Sequence, residues 1–163
     1  MLYAEAAFLY IQSMPKKVSE NLKTVLDVLK DEVRGDVKSA LHKITKDYSM
    51  TWVYKGRGQL FPHTEKSIKK GLERVYPISG REYDIKNIAE GDGIVMIELI
   101  ESYPDPKTKK VYRTPLVLVL EMKNGKIKTG RHYCDPEISW MYLSKAQVEK
   151  AFKKKSKSKL IIK

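Results

Sequence analysis

At 163 residues, with 42% hydrophobic and 32% charged side chains, the chain has the size and composition of one soluble globular domain able to bury a full core. Its one cysteine, Cys134, excludes an internal disulfide and a cysteine-ligated zinc site, and no stretch has the apolar length of a membrane span; a reducing, cytoplasmic setting with no metal, cofactor or membrane partner is expected. The net charge is +12, yet more than half of the excess falls after residue 144, in a lysine-rich end that reads either as a solvated tail or as a hook for nucleic acid or another polyanion.

Residues 1–17 contain an apolar run broken by Glu5 and preceded by no basic segment, which predicts a short helix or arm rather than a signal peptide. Val18, Leu22, Val25, Leu26, Leu29 and Val33 recur at helical spacing behind Ser19, a suitable N-cap, so a helix is predicted from Glu20 to Arg34, stopped by Gly35. Asp36 caps a second helix with Val37, Ala40, Leu41 and Ile44 as its buried stripe. Tyr48 to Tyr54 is a strand by its aromatic and β-branched content, Lys55 to Pro62 a loop, and Thr64 the cap of a short helix with Ile68, Leu72 and Val75 inward.

From Arg81 the pattern becomes sheet. Strands are predicted from Arg81 to Ala89, from Ile94 to Tyr103 and from Tyr112 to Met122, and a fourth from Ile127 to Cys134. The last two form a hairpin turning at Asn124-Gly125, residues that accept the positive φ of a tight type I′ turn. On the closing strand Gly130, His132 and Cys134 share one face, and Thr129, Arg131 and Tyr133 the other. Ser144 and Gln147 give a capping box for a last helix. Helices followed by a curved antiparallel meander make an α+β layout, and a bent sheet covered by helices encloses a cone suited to a small molecule.

Three stretches carry a resemblance: Arg34 to Thr45 (RGDVKSALHKIT), Asp47 to Tyr54 (DYSMTWVY) and Asn124 to Pro136 (NGKIKTGRHYCDP). In this order they resemble the cone-shaped α+β barrels of the nuclear transport factor two-like superfamily, in particular its SnoaL-like members. The resemblance implies a domain over residues 18–152 with a basic tail at 153–163, and a homodimer paired through the outer face of the sheet. It implies an apolar ligand in the cone, and for activity an isomerase, cyclase, dehydratase or hydrolase, or else a non-catalytic module whose tail engages a polyanion.

Mapped by that resemblance, the carboxylate base of a ketosteroid isomerase falls on Trp52, against that chemistry. The positions of a limonene epoxide hydrolase fall on Leu99, Glu101, His132 and Tyr54, so its middle-strand arginine is missing and its closing acid is a histidine. Glu101 and His132 then share the cavity as a general acid/base pair, with the carboxylate raising the imidazole pKa and Asp135 at the cavity rim. Trp52, Tyr54, Phe61, Leu99 and Cys134 are expected to line the ligand site; the plainer reading of the aromatics is core, of Cys134 a buried structural thiol, and of Glu101 a solvated strand end. Glu98, on the other face, is expected to pair with a surface lysine. His42 and His63 have no metal-ligand spacing.

Overall fold

The computed structural model describes residues 18–54, 57–60, 65–151 and 160–163. Helix α1 (Glu20–Arg34) starts at Ser19, whose hydroxyl accepts from the Leu22 amide at 3.0 Å, and ends at Gly35, where φ of 72° supplies the left-handed cap. Its inward stripe, Leu22, Val25 and Leu29, is buried, each side chain contributing about 2 kcal/mol. A short α2 (Val37–Lys43), capped by Asp36, follows and is tied back to α1 by Lys43 Nζ on Asp31 at 2.6 Å.

The sheet has seven strands in the order β2-β1-β6-β5-β4-β3-β7: β1 Ile44–Tyr54, β2 Arg57–Leu60, β3 Glu82–Gly91, β4 Ile94–Pro104, β5 Val111–Lys123, β6 Lys126–Cys134 and β7 Leu160–Ile162. Every pairing is antiparallel except β1 with β6, which run parallel, so the curved sheet is mixed. Register irregularities interrupt β1 between Ile44 and Ser49, β3 between Ile85 and Asn87, and β6 between Ile127 and Thr129, opposite Met122 and Glu121 of β5. Such bulges bend the strands they occupy, and three of them roll the sheet into a cone. Helix α3 (Glu65–Val75) packs Ile68 and Leu72 into the opening, α1 lies across the concave face, and Ile85, Val95, Ile97 and Leu99 are sealed between. On β5 the alternation is plain: Leu116, Leu118 and Leu120 look inward, while Val117 and Glu121 look out.

The hairpin turns conform to expectation, with Asn124 and Gly125 at φ of 51° and 72°. Four local readings change. The first strand starts at Ile44, expected in the α2 stripe, because two consecutive β-branched residues favour extended backbone there. Part of the expected loop before Pro62 is β2, held by backbone pairing to the edge of β1. Asp135-Pro136, read as a strand stop, also begins helix α4 (Pro136–Trp140), with proline at its first turn. After α5 (Lys145–Ala151), residues 153–159 of the expected tail lie outside the described residues, but Leu160–Ile162 pair with the free edge of β3, bury Ile162 and bring Lys163 within 3.3 Å of Glu82. Residues 1–17 and the expected helix cap Thr64 also lie outside the described residues.

Candidate functional site

The cone holds a cavity of about 340 Å³. Its floor and walls are apolar: Val25 and Leu29 from α1, Leu72 and Val75 from α3, Met50 and Trp52 from β1, Leu116, Leu118 and Leu120 from β5, and Ile127 from β6. Gly130 keeps that wall open, since a Cβ there would stand 2.6 Å from the Met50 methyl.

At one end the lining becomes charged. Arg81, at the entry to β3, is buried and extends its guanidinium between two carboxylates. Its Nη1 donates to Glu32 Oε1 at 2.6 Å and to the Val75 carbonyl at 2.8 Å, and its Nε stands 3.1 Å from Glu101 Oε1. Tyr83 lines the cavity beside both carboxyls and favours their charged forms, and the guanidinium lies 5.6 Å from the centre of the Tyr103 ring. The folding logic is direct. Glu32 stands seven residues after Val25 and three after Leu29, on the same inward stripe of α1. Arg81 and Tyr83, like Glu101 and Tyr103, are two apart on neighbouring strands and so point the same way.

Burial dominates the electrostatics. Desolvation pushes the Glu101 carboxyl from its ordinary 4.5 up to about 7, against the opposing pull of Arg81 and with a further push from Glu32. Glu32 is raised for the same reason, with Arg81 again opposing. Burial works against the Arg81 charge, but Glu32, Tyr83, Glu101 and Tyr103 outweigh it and hold the guanidinium above its ordinary value. One cation thus serves two buried carboxyls and a phenol, so near neutral pH a proton resides within the group. Pairs of carboxyls whose environment holds one protonated are suited to general acid and base roles.

His132 also lines the cavity, but far from this cluster. Glu101 faces Thr114 across β4 and β5, whereas His132 faces Leu118 across β5 and β6. Four residues along a strand and two strand spacings separate them, roughly 16 Å between their backbones over the sheet surface. Burial alone lowers the imidazole to about 4, where the expected carboxylate neighbour would have raised it. Its ring tilts against Trp52 with centroids 6.4 Å apart, and its Nε2 is buried without a hydrogen-bond partner among the described residues. Glu101 and His132 therefore share a cavity without forming a dyad.

The other expected site residues divide. Trp52 lines the cavity. Leu99 is wholly buried in the core beside it, and Cys134 is half-buried against that core; neither is part of the lining. Asp135 is exposed, caps α4 by accepting from the Glu137 amide at 2.9 Å, and is not part of the lining. The Tyr54 side chain, Phe61 and His63 lie outside the described residues, and His42 is exposed on α2. Glu98 accepts from Asn87 in place of a lysine. The residues that the sequence reading missed are Glu32, Arg81, Tyr83 and Tyr103. A glutamate on the apolar stripe of α1 was the available signal for one of them. Among the described residues, no three His, Cys, Asp or Glu side chains are grouped to hold a metal.

Bulged curved sheet, covering helices and enclosed cavity together define the cone-shaped α+β fold of the nuclear transport factor two-like superfamily. No family model and no curated protein matches the sequence. Among solved structures the chain is similar to a proposed SnoaL-like polyketide cyclase from Shewanella putrefaciens (TM-score 0.64, 12% identity, 77% of this chain and 97% of that one). It is similar also to an LEH-like epoxide hydrolase from M. tuberculosis (TM-score 0.60, 17% identity, 82% and 96%). A de novo designed protein with a curved β-sheet shares the architecture as well (TM-score 0.56, 17% identity, 76% and 91%). Function must accordingly be argued from the site.

Proposed function

We propose that the protein binds a small, apolar, uncharged molecule in the cone and acts on an oxygen-bearing carbon of it by general acid/base chemistry. The observation that carries this reading is the pair of buried carboxyls, Glu32 and Glu101, on one guanidinium at the polar end of an otherwise apolar cavity. In this reading Glu101, titrating near 7, donates its proton to the substrate oxygen, and Glu32 takes a proton from the attacking water. Arg81 holds both groups in place, and Tyr83 favours the charged form of each. An anionic substrate is disfavoured, because Arg81, the buried cation at the polar end of the cavity, is already shared by two acids. Among isomerase, cyclase, dehydratase and hydrolase, hydrolysis uses both carboxyls at once, and the likeness of fold to an LEH-like epoxide hydrolase supports it. His132, neutral and at the apolar end, contributes to the shape of the site and takes no part in proton transfer.

The test is turnover of a panel of hydrophobic epoxides, starting with limonene oxide. Glu101→Gln and Glu32→Gln are each expected to lower kcat by about 10²-fold or more with no fall in the thermal midpoint. Full activity in Glu101→Gln, or no turnover of any neutral epoxide by the native chain, would count against it.

A second reading is a non-catalytic homodimer whose basic end engages a polyanion. It is favoured by the outer sheet face, where Met96 pairs with Val119 and Val117 with Tyr133, and where Met96 and Tyr133 are 42% and 41% exposed. Light scattering of Tyr133→Glu against the native chain separates the two, since a monomeric native protein excludes the dimer.

A further inference from the structure

We propose that one end of the molecule, formed by α4, the turn after it and the β4–β5 connection, docks on the surface of an anionic lipid bilayer with Trp140 and Met141 as the inserted side chains. These two residues are consecutive at the end of α4 and are 66% and 63% exposed, the most open large apolar side chains among the described residues. The backbone holds them out. Tyr142, next in the chain, adopts a left-handed φ of 49°, and its hydroxyl donates to Asp105 Oδ2 at 3.2 Å and lies 3.2 Å from the Tyr112 hydroxyl. Arg113 donates to the Leu143 carbonyl at 2.9 Å. An apolar pair fixed on a braced turn cannot fold back onto its own surface.

The surroundings are basic. Asp105 organises the β4–β5 turn by accepting from the amides of Lys107 and Thr108 at 2.8 and 2.9 Å, which leaves Lys107, Lys109 and Lys110 exposed. The Lys110 ammonium lies 5.2 Å from the centre of the Tyr142 ring, so this turn adjoins the Trp140 tip. Lys145 begins α5 immediately after, with Glu149 as its partner at 3.9 Å. Against them stand the exposed acids Asp135 and Glu137 on α4, while the Asp105 carboxylate is occupied by its hydrogen bonds. With Lys145 set against Glu149, the three exposed lysines of the β4–β5 turn face two exposed acids, and in a chain of net charge +12 this end suits a negative surface.

An indole and a thioether side by side within a lysine ring match the boundary between headgroups and acyl chains. No described helix is long and apolar enough to cross a membrane, and lying on a surface requires none. Two residues are too small an area for a stable second copy of the chain. A single exposed aromatic gives no platform for successive bases, which disfavours single-stranded nucleic acid. This inference is independent of the acid/base reading, although a protein whose ligand is apolar gains by resting where such ligands accumulate.

The experiment is co-sedimentation of the full chain with phosphatidylcholine vesicles, with and without phosphatidylglycerol, at low and high salt. Binding is expected only with phosphatidylglycerol and is expected to weaken with salt. The double variant W140S/M141S should lower the partition coefficient about tenfold at an unchanged thermal midpoint. K107E/K109E should lower it by a similar factor. In a Trp52→Phe background, the emission of Trp140 should move to the blue on adding anionic vesicles. Absence of binding to phosphatidylglycerol vesicles overturns the proposal. Unchanged binding by W140S/M141S overturns it too, by assigning the attraction to the lysines near the C-terminus. Oligonucleotide binding that depends on Trp140, without vesicle binding, also overturns it.

Discussion

Replacing Glu101 by glutamine should change the way stability responds to pH. In the folded protein the carboxyl titrates at about 7, against an ordinary 4.5. Below 4.5 it is protonated whether the chain is folded or not; as the pH climbs toward 7 only the unfolded chain gives up the proton, and stability falls. At about 1.4 kcal/mol per unit the loss reaches about 3 kcal/mol for this side chain, which is 14% exposed. His132 does the reverse. Its folded value of about 4 against an ordinary 6.5 means that stability complete above 6.5 is lost as the pH falls toward 4, again by about 3 kcal/mol. Between 4.5 and 6.5 the two slopes oppose each other, and the raised Glu32 adds to the fall. Glu101→Gln removes one falling slope, so its stability should rise across that window relative to the native chain and exceed it at higher pH. His132→Gln removes the other, and its stability should fall across the same window. Urea unfolding followed by circular dichroism at half-unit pH steps measures all three. Parallel curves for Glu101→Gln and the native protein would refute the burial argument for this carboxyl.

Arg81→Met leaves Glu32 and Glu101 buried without their cation and should cost about 3–5 kcal/mol in denaturant unfolding; adding Glu32→Gln and Glu101→Gln should recover much of it. Gly130→Ala places a methyl 2.6 Å from Met50 Cε and 2.9 Å from Leu120 Cδ2, so Met50 must swing into the cavity. It should destabilise by about 1–3 kcal/mol and weaken binding of an apolar fluorescent dye. Asp135→Ala removes the α4 cap and should cost about 1 kcal/mol in thermal unfolding with turnover intact; a loss of turnover would return Asp135 to the cavity rim.

The helices and the long hairpin were legible because periodicity and capping are local. Ser19, Gly35 and Asn124-Gly125 each announce their conformation within a few residues. The short strands β2 and β7 were not, since an edge strand is recruited by the backbone of its neighbour and needs little from its own side chains. Alternation grouped Gly130, His132 and Cys134 on one face of β6, but it took the resemblance to turn that face toward the cone; Trp52 and His132 line the cavity. The chemistry of the site did not follow. A resemblance that sought an arginine on the same strand as Glu101 reported it lost, yet a guanidinium reaches Glu101 from Arg81, just before the adjacent strand β3 and two residues ahead of Tyr83, which stands opposite Glu101. Glu32 arrives from a helix nearly 70 positions earlier. Such convergence depends on how far the sheet is rolled, a property set by three bulges that leave no strong mark in the residue pattern.

The parallel pairing of β1 with β6 sets the order in which the chain can be completed. Trp52 lies beside His132, 80 positions further along, while β3 to β6 are joined by turns between immediate neighbours. Short loops close at little entropic cost and long ones later, so the meander of β3 to β6 is the natural first assembly, and β1 must find its edge afterwards. On a ribosome adding about 5–20 residues per second, β1 waits roughly 4–16 seconds for its partner to be made. Throughout that interval Tyr48, Met50 and Trp52 have no β6 to lie against, and the half of the protein synthesised first is the last to reach its final form.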